Sequence, residues 1–254
     1  MKIIRCLQLA ALGTIISACS SDSSVAPNRQ PASLDQAWRE MMLPLLTGAG
    51  SLSGIPAPSI AATLPSSCSY SASTQSFACP SVTVSGLTIT RSYVLLDASG
   101  RSQPAFDAAA TASVRAKTTT VGTINSEGTS LTIDQTQELT LSGLLTGTHT
   151  LDGTSTAQVT GTVKSGLITS TVASAVTTSI VKLVVSSAAA GATVYPASGT
   201  ITVDVVTTTD SALSTTVHFQ MTFNGTSKVS VVISSALSST HCTLDLANPS
   251  ASCA

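Results

Sequence analysis

The segment VHFQMTFNGTSKVSVVI, residues 217–233, indicates the fold most directly, because apolar side chains recur in it at every second position. Apolar and polar residues alternate up to the dipeptide Asn224-Gly225, and a second alternating run with Val229, Val231 and Ile233 follows it. A period of two is typical of strands with one buried face, and Asn-Gly is a strong signal for a hairpin between them. The segment therefore predicts two antiparallel strands whose apolar residues share one face.

Similar alternation recurs along the chain from Cys68 onward. It is seen in three further runs: Leu139 and Leu141, Val159 and Val163, and Ile201, Val203 and Val205. Turn-forming residues lie at Asp97–Gly100, Asn125–Gly128, Asp152-Gly153, Lys164–Gly166, Ala188–Gly191 and Asp210-Ser211. Residues 167–185 are apolar but rich in β-branched side chains, so they predict two strand-like pieces rather than a membrane helix. The fold class predicted is mainly β, an antiparallel meander sheet of about ten strands.

The alternation changes parity near Gly86. Val82 and Val84 share one parity, whereas Leu87 and Ile89 take the other. A β-bulge adds one residue to a strand, which restores the inward face and bends the strand. Gly86 is therefore predicted to be a bulge that makes the sheet curved.

One stretch before the β region has helical spacing instead. Its apolar residues recur three or four positions apart: Leu34, Trp38, Met41, Met42, Leu45 and Leu46. Ser33 is a suitable N-cap, and Gly48 can end the run. The pattern predicts one N-terminal amphipathic helix over residues 34–46, packed on the sheet within a single β-rich domain, residues 34–254.

The N-terminus has the three-part pattern of an export signal. Two basic residues precede a mostly apolar stretch, residues 7–16, which is too short to span a bilayer as a permanent helix. The tetrapeptide that follows, Ile16-Ser17-Ala18-Cys19, resembles the lipobox of bacterial lipoproteins. The resemblance implies that residues 1–18 are a lipoprotein signal peptide and that Cys19 is the lipidation site, through which the protein contacts a membrane.

The lipobox resemblance also implies a location. A residue other than Asp after the lipidated cysteine, here Ser20, is similar to an outer-membrane sorting signal, with the periplasmic or surface face left open. The alternative is that Cys19 merely lies near an ordinary signal-peptidase site after Ala18. Residues 19–33 carry almost no large apolar side chain, so they are predicted to form a flexible tether.

Four further cysteines form two pairs of identical spacing, Cys68 with Cys79 and Cys242 with Cys253. An even set at matched spacing indicates disulfides in an exported protein. Folding each segment as a hairpin about its turn-like centre puts its two cysteines opposite each other, within disulfide reach. A cross pairing, 68 with 253 and 79 with 242, stays open if the hairpins lie side by side.

Composition and motifs exclude several classes of function. Charged residues make up 9% of the chain, against a usual value of about 25%, and the formal net charge is −1, so no basic patch predicts nucleic acid as a partner. His149, His218 and His241 are expected to face solvent without an acidic neighbour. Ser179-Ile180-Val181-Lys182 matches S-x-x-K but has no helical context and no K-T-G partner. No catalytic residue, metal site or cofactor is therefore predicted.

The sequence favours a lipid-anchored cell-envelope β protein that acts as a structural or binding module without catalysis. The alternative is a periplasmic carrier of hydrophobic ligands, because a curved sheet capped by a helix is also the architecture of such carriers. A cavity lined by Trp38 and inward strand residues favours the carrier, whereas a filled core favours the module. Which protein or hydrophobic ligand is the partner is left open.

Overall fold

A computed structural model of the chain describes residues 68–126, 128–165, 168–186, 195–210, 213–247 and 250–253. Within these ranges the protein is one antiparallel sheet of fourteen strands. The strands are Ser69–Ser71 (β1), Ser76–Ala78 (β2), Val82–Val84 (β3), Leu87–Asp97 (β4), Ser102–Gln103 (β5), Thr111–Ser126 (β6), Thr129–Ser142 (β7), Thr148–Ser165 (β8), Ile168–Ser186 (β9), Ser198–Thr209 (β10), Leu213–Phe223 (β11), Lys228–Ser235 (β12), Ser239–Asp245 (β13) and Ser250–Cys253 (β14). The predicted signal, tether and helix lie outside the described residues.

The strand order confirms the meander. It runs β1-β2-β4-β6 and then continues from β6 to β14 with each strand beside its successor, while β3 and β5 pair with β4. No pairing among the described residues joins β1 to β14, so the sheet is not closed. Fourteen strands replace the predicted ten because five of them have only two to four residues, too few for alternation to show in the sequence.

The segment that indicated the fold forms the predicted hairpin, β11 and β12. Phe219 pairs with Ile233 and Met221 with Val231, so the apolar residues of both strands lie on one face. The connection is longer than a two-residue turn, since β11 ends at Phe223 and β12 begins at Lys228. The backbone N–H of Gly225 donates a hydrogen bond to the carbonyl of Pro196 at 2.9 Å. This contact ties the hairpin loop to the chain before β10.

The core lies on one side of the sheet, here called the inner face. Its buried cluster runs from β7 to β13: Leu141, Leu151, Ala157, Val176, Leu183, Ile201, Val203, Val205, Phe219, Met221, Phe223, Val229, Val231, Ile233, Cys242 and Leu244. Burial of each large side chain contributes about 1.5 to 3 kcal/mol. The opposite side, here called the outer face, carries mostly hydroxyl and charged residues.

The predicted bulge at Gly86 is wrong. Ser85 and Gly86 form a tight turn between β3 and β4, with Val84 paired to Leu87 and positive φ angles of 51° and 85°. The parity changes there because the chain reverses direction, not because one strand carries an extra residue. A Cβ at Gly86 would also meet the carbonyl oxygen of Thr123 on β6, so this position requires glycine.

The predicted turn at Asp152-Gly153 is also wrong, because both residues lie inside β8. Asp152 sits opposite an irregularity in β9, where the register shifts between the pairs Leu151–Leu183 and Gly153–Ile180. Its carboxylate accepts a hydrogen bond from the backbone N–H of Lys182 at 2.7 Å. The segment 167–185 was predicted to form two strand-like pieces; its described part, residues 168–185, lies within one strand, β9, that is interrupted by a bulge.

Two disulfide-distance cysteine pairs lie at the two ends of the strand order. Cys68 faces Cys79 across the β1–β2 hairpin and Cys242 faces Cys253 across the β13–β14 hairpin, each with a Cα–Cα distance of 4.0 Å. An exposed sheet edge presents unpaired backbone groups that can recruit other chains. Each edge of this open sheet is thus a short hairpin whose two strands a disulfide can hold together.

We expect removal of an edge disulfide to destabilise the fold. The double variant Cys242→Ser/Cys253→Ser should lower the free energy of unfolding by roughly 3 kcal/mol in the chain-entropy model, because it frees a loop of eleven residues in the unfolded chain. Urea unfolding measures the loss, and added reductant should lower the stability of the variant less than that of the wild type. Non-reducing peptide mapping that recovers a 68–253 or 79–242 peptide would contradict the pairing.

Candidate functional site on the outer face

Strand register sets the threonines of the outer face side by side. Successive Cα partners place one threonine on each of five adjacent strands, β4, β6, β7, β8 and β9: Thr90, Thr119, Thr136, Thr156 and Thr177. Neighbouring strands lie about 4.8 Å apart, so these residues form a continuous hydroxyl row, here called the threonine row. In part of the row the hydroxyls bond each other, as Thr119 does to Thr90 at 3.2 Å.

Beyond β9 the threonine row continues into a pair formed by a carboxylate and an imidazole. Asp204 on β10 lies opposite Thr177, and His218 on β11 lies opposite Asp204. The His218 Nδ1 atom is 2.7 Å from Asp204 Oδ1, and both side chains are partly exposed. His218 is partly exposed, and its acidic neighbour comes from strand pairing, since the sequence places no acidic residue beside it at ligand spacing. The sequence contained a signal for this pair. Asp204 and His218 lie at similar distances on either side of the predicted turn at Asp210-Ser211, so a hairpin about that turn brings them together.

Ser234 on β12 lies opposite His218 and completes the sequence carboxylate, imidazole, hydroxyl across three strands. This is the order of a Ser-His-Asp triad, which also needs a hydrogen bond from Ser to His and donors for an oxyanion. No hydrogen bond joins Ser234 to His218 in the described part of the chain, and β12 pairs with strands on both sides, which engages its backbone N–H groups. The Asp204–His218 contact instead joins β10 to β11 as a hydrogen-bonded pair on the partly exposed surface.

The inner face also holds polar residues that the sequence did not reveal. Expected to face solvent, His149 is buried, whereas His241 is exposed as predicted. Elsewhere on the inner face of β7 to β9, the Gln135 amide donates a long hydrogen bond of 3.4 Å to Ser155 Oγ, and Thr178 Oγ1 is buried with no hydrogen-bond partner among the described residues. Small hydroxyl residues on a strand resemble outward-facing ones in the sequence, and only the register shows that these point inward.

A groove of about 460 Å³ opens on the outer face where β7, β8 and β9 lie side by side, and is here called the outer groove. It is lined by Thr132, Asp134, Thr156, Ala157, Gln158, Thr160, Ala175, Val176 and Thr177. Ala175 occupies the position beside Gln158, and its small side chain leaves space between the taller neighbours. The outer groove therefore combines hydroxyl groups, one amide and one carboxylate in a concave surface.

The two acidic residues of β7 occupy different environments. Glu138 pairs with Lys117 on β6, with Oε1 at 2.8 Å from Nζ. The hydrogen bond and the charge of Lys117 lower the pKa of Glu138. Asp134 has no such cation among the described residues and lines the outer groove. Four residues of strand separate the two carboxylates by about 13 Å, so they do not form a paired-carboxylate site.

The remaining predicted sites are separated from this face. Cys19 lies outside the described residues, and the four paired cysteines lie at the sheet edges. The S-x-x-K residues lie on β9 at the bulge, in strand rather than helical context. Among the described residues, no cluster of three or more His, Cys, Asp or Glu side chains could hold a metal ion, and no helix is long and apolar enough to cross a membrane.

No protein-family model matches the chain, and comparisons with curated proteins and with solved structures find no significant match. Any inference about function therefore depends on the residues themselves. The features that bear on it are the buried inner face, the hydroxyl-rich outer face with its groove, and the N-terminal signal pattern.

The predicted turn after β4 contains the most strongly perturbed carboxylate. The Ser99 hydroxyl donates to Asp97 Oδ1 at 2.6 Å, and the backbone N–H of Arg101 donates to the same atom at 2.9 Å. These hydrogen bonds lower the pKa of Asp97 from 3.8 to about 2. Gly100 closes the turn through its N–H, which bonds the carbonyl oxygen of Asp97 at 3.0 Å.

We expect this turn to make stability depend on acid pH. Because the pKa of Asp97 is lower in the folded than in the unfolded chain, its contribution is complete above 3.8 and is lost as pH falls from 3.8 to about 2. The difference in unfolding free energy between wild type and Asp97→Asn should be largest above pH 5 and shrink toward pH 2. Urea unfolding at several pH values measures it, and a difference that does not change with pH would contradict the assignment.

Proposed function

We propose that this protein is an exported, lipid-anchored module of the bacterial cell envelope that has a structural or binding role and no catalytic one. In this proposal the inner face is structural and the outer face meets the partner. Cys19 holds the protein at the outer membrane, and residues 19–33 tether the sheet to it.

The observation that supports a module over a carrier is the complete burial of the core on β11 and β12. Phe219, Val229, Val231 and Ile233 each have 0% exposed surface. A side chain that lines a ligand-sized cavity keeps accessible surface toward that cavity. These four side chains keep none, so neighbouring atoms fill the space around them, as in an ordinary protein interior.

Export is supported by two independent features. The first is the signal pattern that ends in Ile16-Ser17-Ala18-Cys19. The second is the presence of two cysteine pairs at disulfide distance, since such bonds persist mainly in oxidising compartments outside the cytosol.

The anchor is tested by metabolic labelling with radioactive palmitate. We expect the wild type to incorporate the label and the variant Cys19→Ala to be unlabelled and to keep its signal peptide, because the lipid is attached to this thiol. Cys6→Ala is the matched control, since Cys6 lies within the signal and should not affect labelling. Equal labelling of Cys19→Ala and wild type would contradict the anchor.

The carrier stays a second candidate because of one observation on the inner face. Thr178 Oγ1 is buried without a hydrogen-bond partner, which costs about 1–3 kcal/mol unless another group satisfies it. An amphiphilic ligand with a polar head near Ser155 and Thr178 would supply that group, while its tail would need space along the aliphatic half of the face.

Fluorescence of Trp38, the only tryptophan, separates the two candidates in protein exported without its lipid. The helix over residues 34–46 is predicted to pack on the inner face, so we expect blue-shifted emission that added palmitic acid does not move, and aggregation when residues 34–46 are deleted. Trp38→Phe supplies the blank. A shift on adding palmitic acid would favour the carrier, and red-shifted emission would contradict packing of the helix.

A further inference from the structure

The outer groove presents hydrogen-bonding groups that the protein itself does not use. Thr132, on its rim, is hydrogen-bonded to Thr123 on β6 at 3.1 Å. Within the described residues, the side chains of Thr156, Gln158 and Thr160 make no hydrogen bond to the protein. All three are exposed on the same strand, β8, at alternating positions. They form a line of donors and acceptors that is available to a ligand.

Among the described residues that line the outer groove, Asp134 is the only charged one. Asp134 is the Cα partner of Gln158, so carboxylate and amide stand on adjacent strands. The carboxylate accepts hydrogen bonds and the amide both accepts and donates them, while each threonine hydroxyl does either. This combination suits a ligand that presents several hydroxyl groups close together, because a carboxylate can accept from two of them at once.

The lining residues also argue against other ligand classes. No basic side chain is among the described residues that line the groove, and the negative charge of Asp134 opposes phosphates, sulfates and carboxylates. Among the described lining residues there is no aromatic one, and Val176, the only large aliphatic one, is buried in the inner-face core, so a lipid chain would bury little apolar surface here. The methyl groups of Ala175 and the threonines provide only small apolar contacts, of the size that the C–H face of a sugar ring offers.

We propose that the outer groove binds a neutral glycan through Asp134, Gln158 and the hydroxyls of Thr156 and Thr160. This inference rests on the proposed binding role and names its ligand class. The volume of about 460 Å³ is within the usual range for small-ligand sites, about 300–1,000 Å³, and suits a short oligosaccharide segment.

Isothermal titration of the full-length protein with neutral and anionic oligosaccharides tests the proposal. The protein is purified in a detergent without a sugar headgroup, because a maltoside would compete for the groove. The neutral probes are chitohexaose, cellohexaose and maltohexaose, and the anionic probe is a hyaluronan hexasaccharide. We expect saturable binding of at least one neutral probe and none of the anionic one.

Matched variants assign the binding to the groove. Thr156→Val keeps the shape of the side chain and removes its hydroxyl, so we expect about fivefold weaker binding. Asp134→Ala removes the carboxylate and should weaken binding by about tenfold or more, since hydrogen bonds to charged groups are stronger. Thr222→Val, on the same face at β11 and outside the groove, should bind as tightly as wild type. Urea unfolding of each variant checks that the fold is retained.

Three results would overturn the proposal. These are no saturable binding of any neutral probe, equal binding of the anionic probe, or unchanged affinity in both groove variants. Palmitate labelling at Cys19 and the fluorescence of Trp38 are measured independently of any sugar. Failure of glycan binding with those two results intact would therefore reject this ligand class and leave the envelope module in place.

Discussion

The register of the antiparallel hydrogen-bond ladder is the constraint on which the other features of this protein depend. Because side chains alternate along a strand, a slip by one residue would move every buried side chain to the outer face. The pairs Phe219–Ile233 and Met221–Val231 hold the core on one side. The same ladder sets Asp204 beside His218 and forms the threonine row on the other side. Core and candidate site are thus consequences of one set of backbone hydrogen bonds.

The bulge in β9, a strand of nineteen residues, keeps apolar side chains on the inner face both before and after it. Ile180 and Leu183 both pair with inner-face positions although three positions separate them, because two residues of β9 oppose one residue of β8 between them. Lys182 takes a positive φ of 48° there, and the Asp152 carboxylate satisfies its N–H. Without the bulge, Leu183 would face outward, and the aliphatic core would lose this side chain near the end of β9.

The two edges of the open sheet are protected in the same way. A sheet that does not close exposes backbone donors and acceptors at both edges, which invites pairing with other chains. Here each edge strand is very short, and a cysteine pair joins it to its neighbour: Cys68 to Cys79 at one end and Cys242 to Cys253 at the other. The identical spacing of the two pairs in the sequence reflects this shared role in two hairpins far apart in the strand order.

By itself the sequence determined the features that depend on local pattern. Alternation and turn residues indicated an antiparallel meander and the β11–β12 hairpin, and spacing alone put the cysteines in the pairs that the structure brings to disulfide distance. Only the tertiary structure decided what depends on pairing between distant residues. Strand pairing placed Gly86 in a turn and Lys182 in the bulge of β9, and it directed His149 inward. It also brought Asp204 beside His218 and assembled the outer groove from three strands. A β-branched, polar threonine suits a strand on either face of a sheet, so its partners across the strands, and not its neighbours along the chain, decide whether it is buried or available to a ligand.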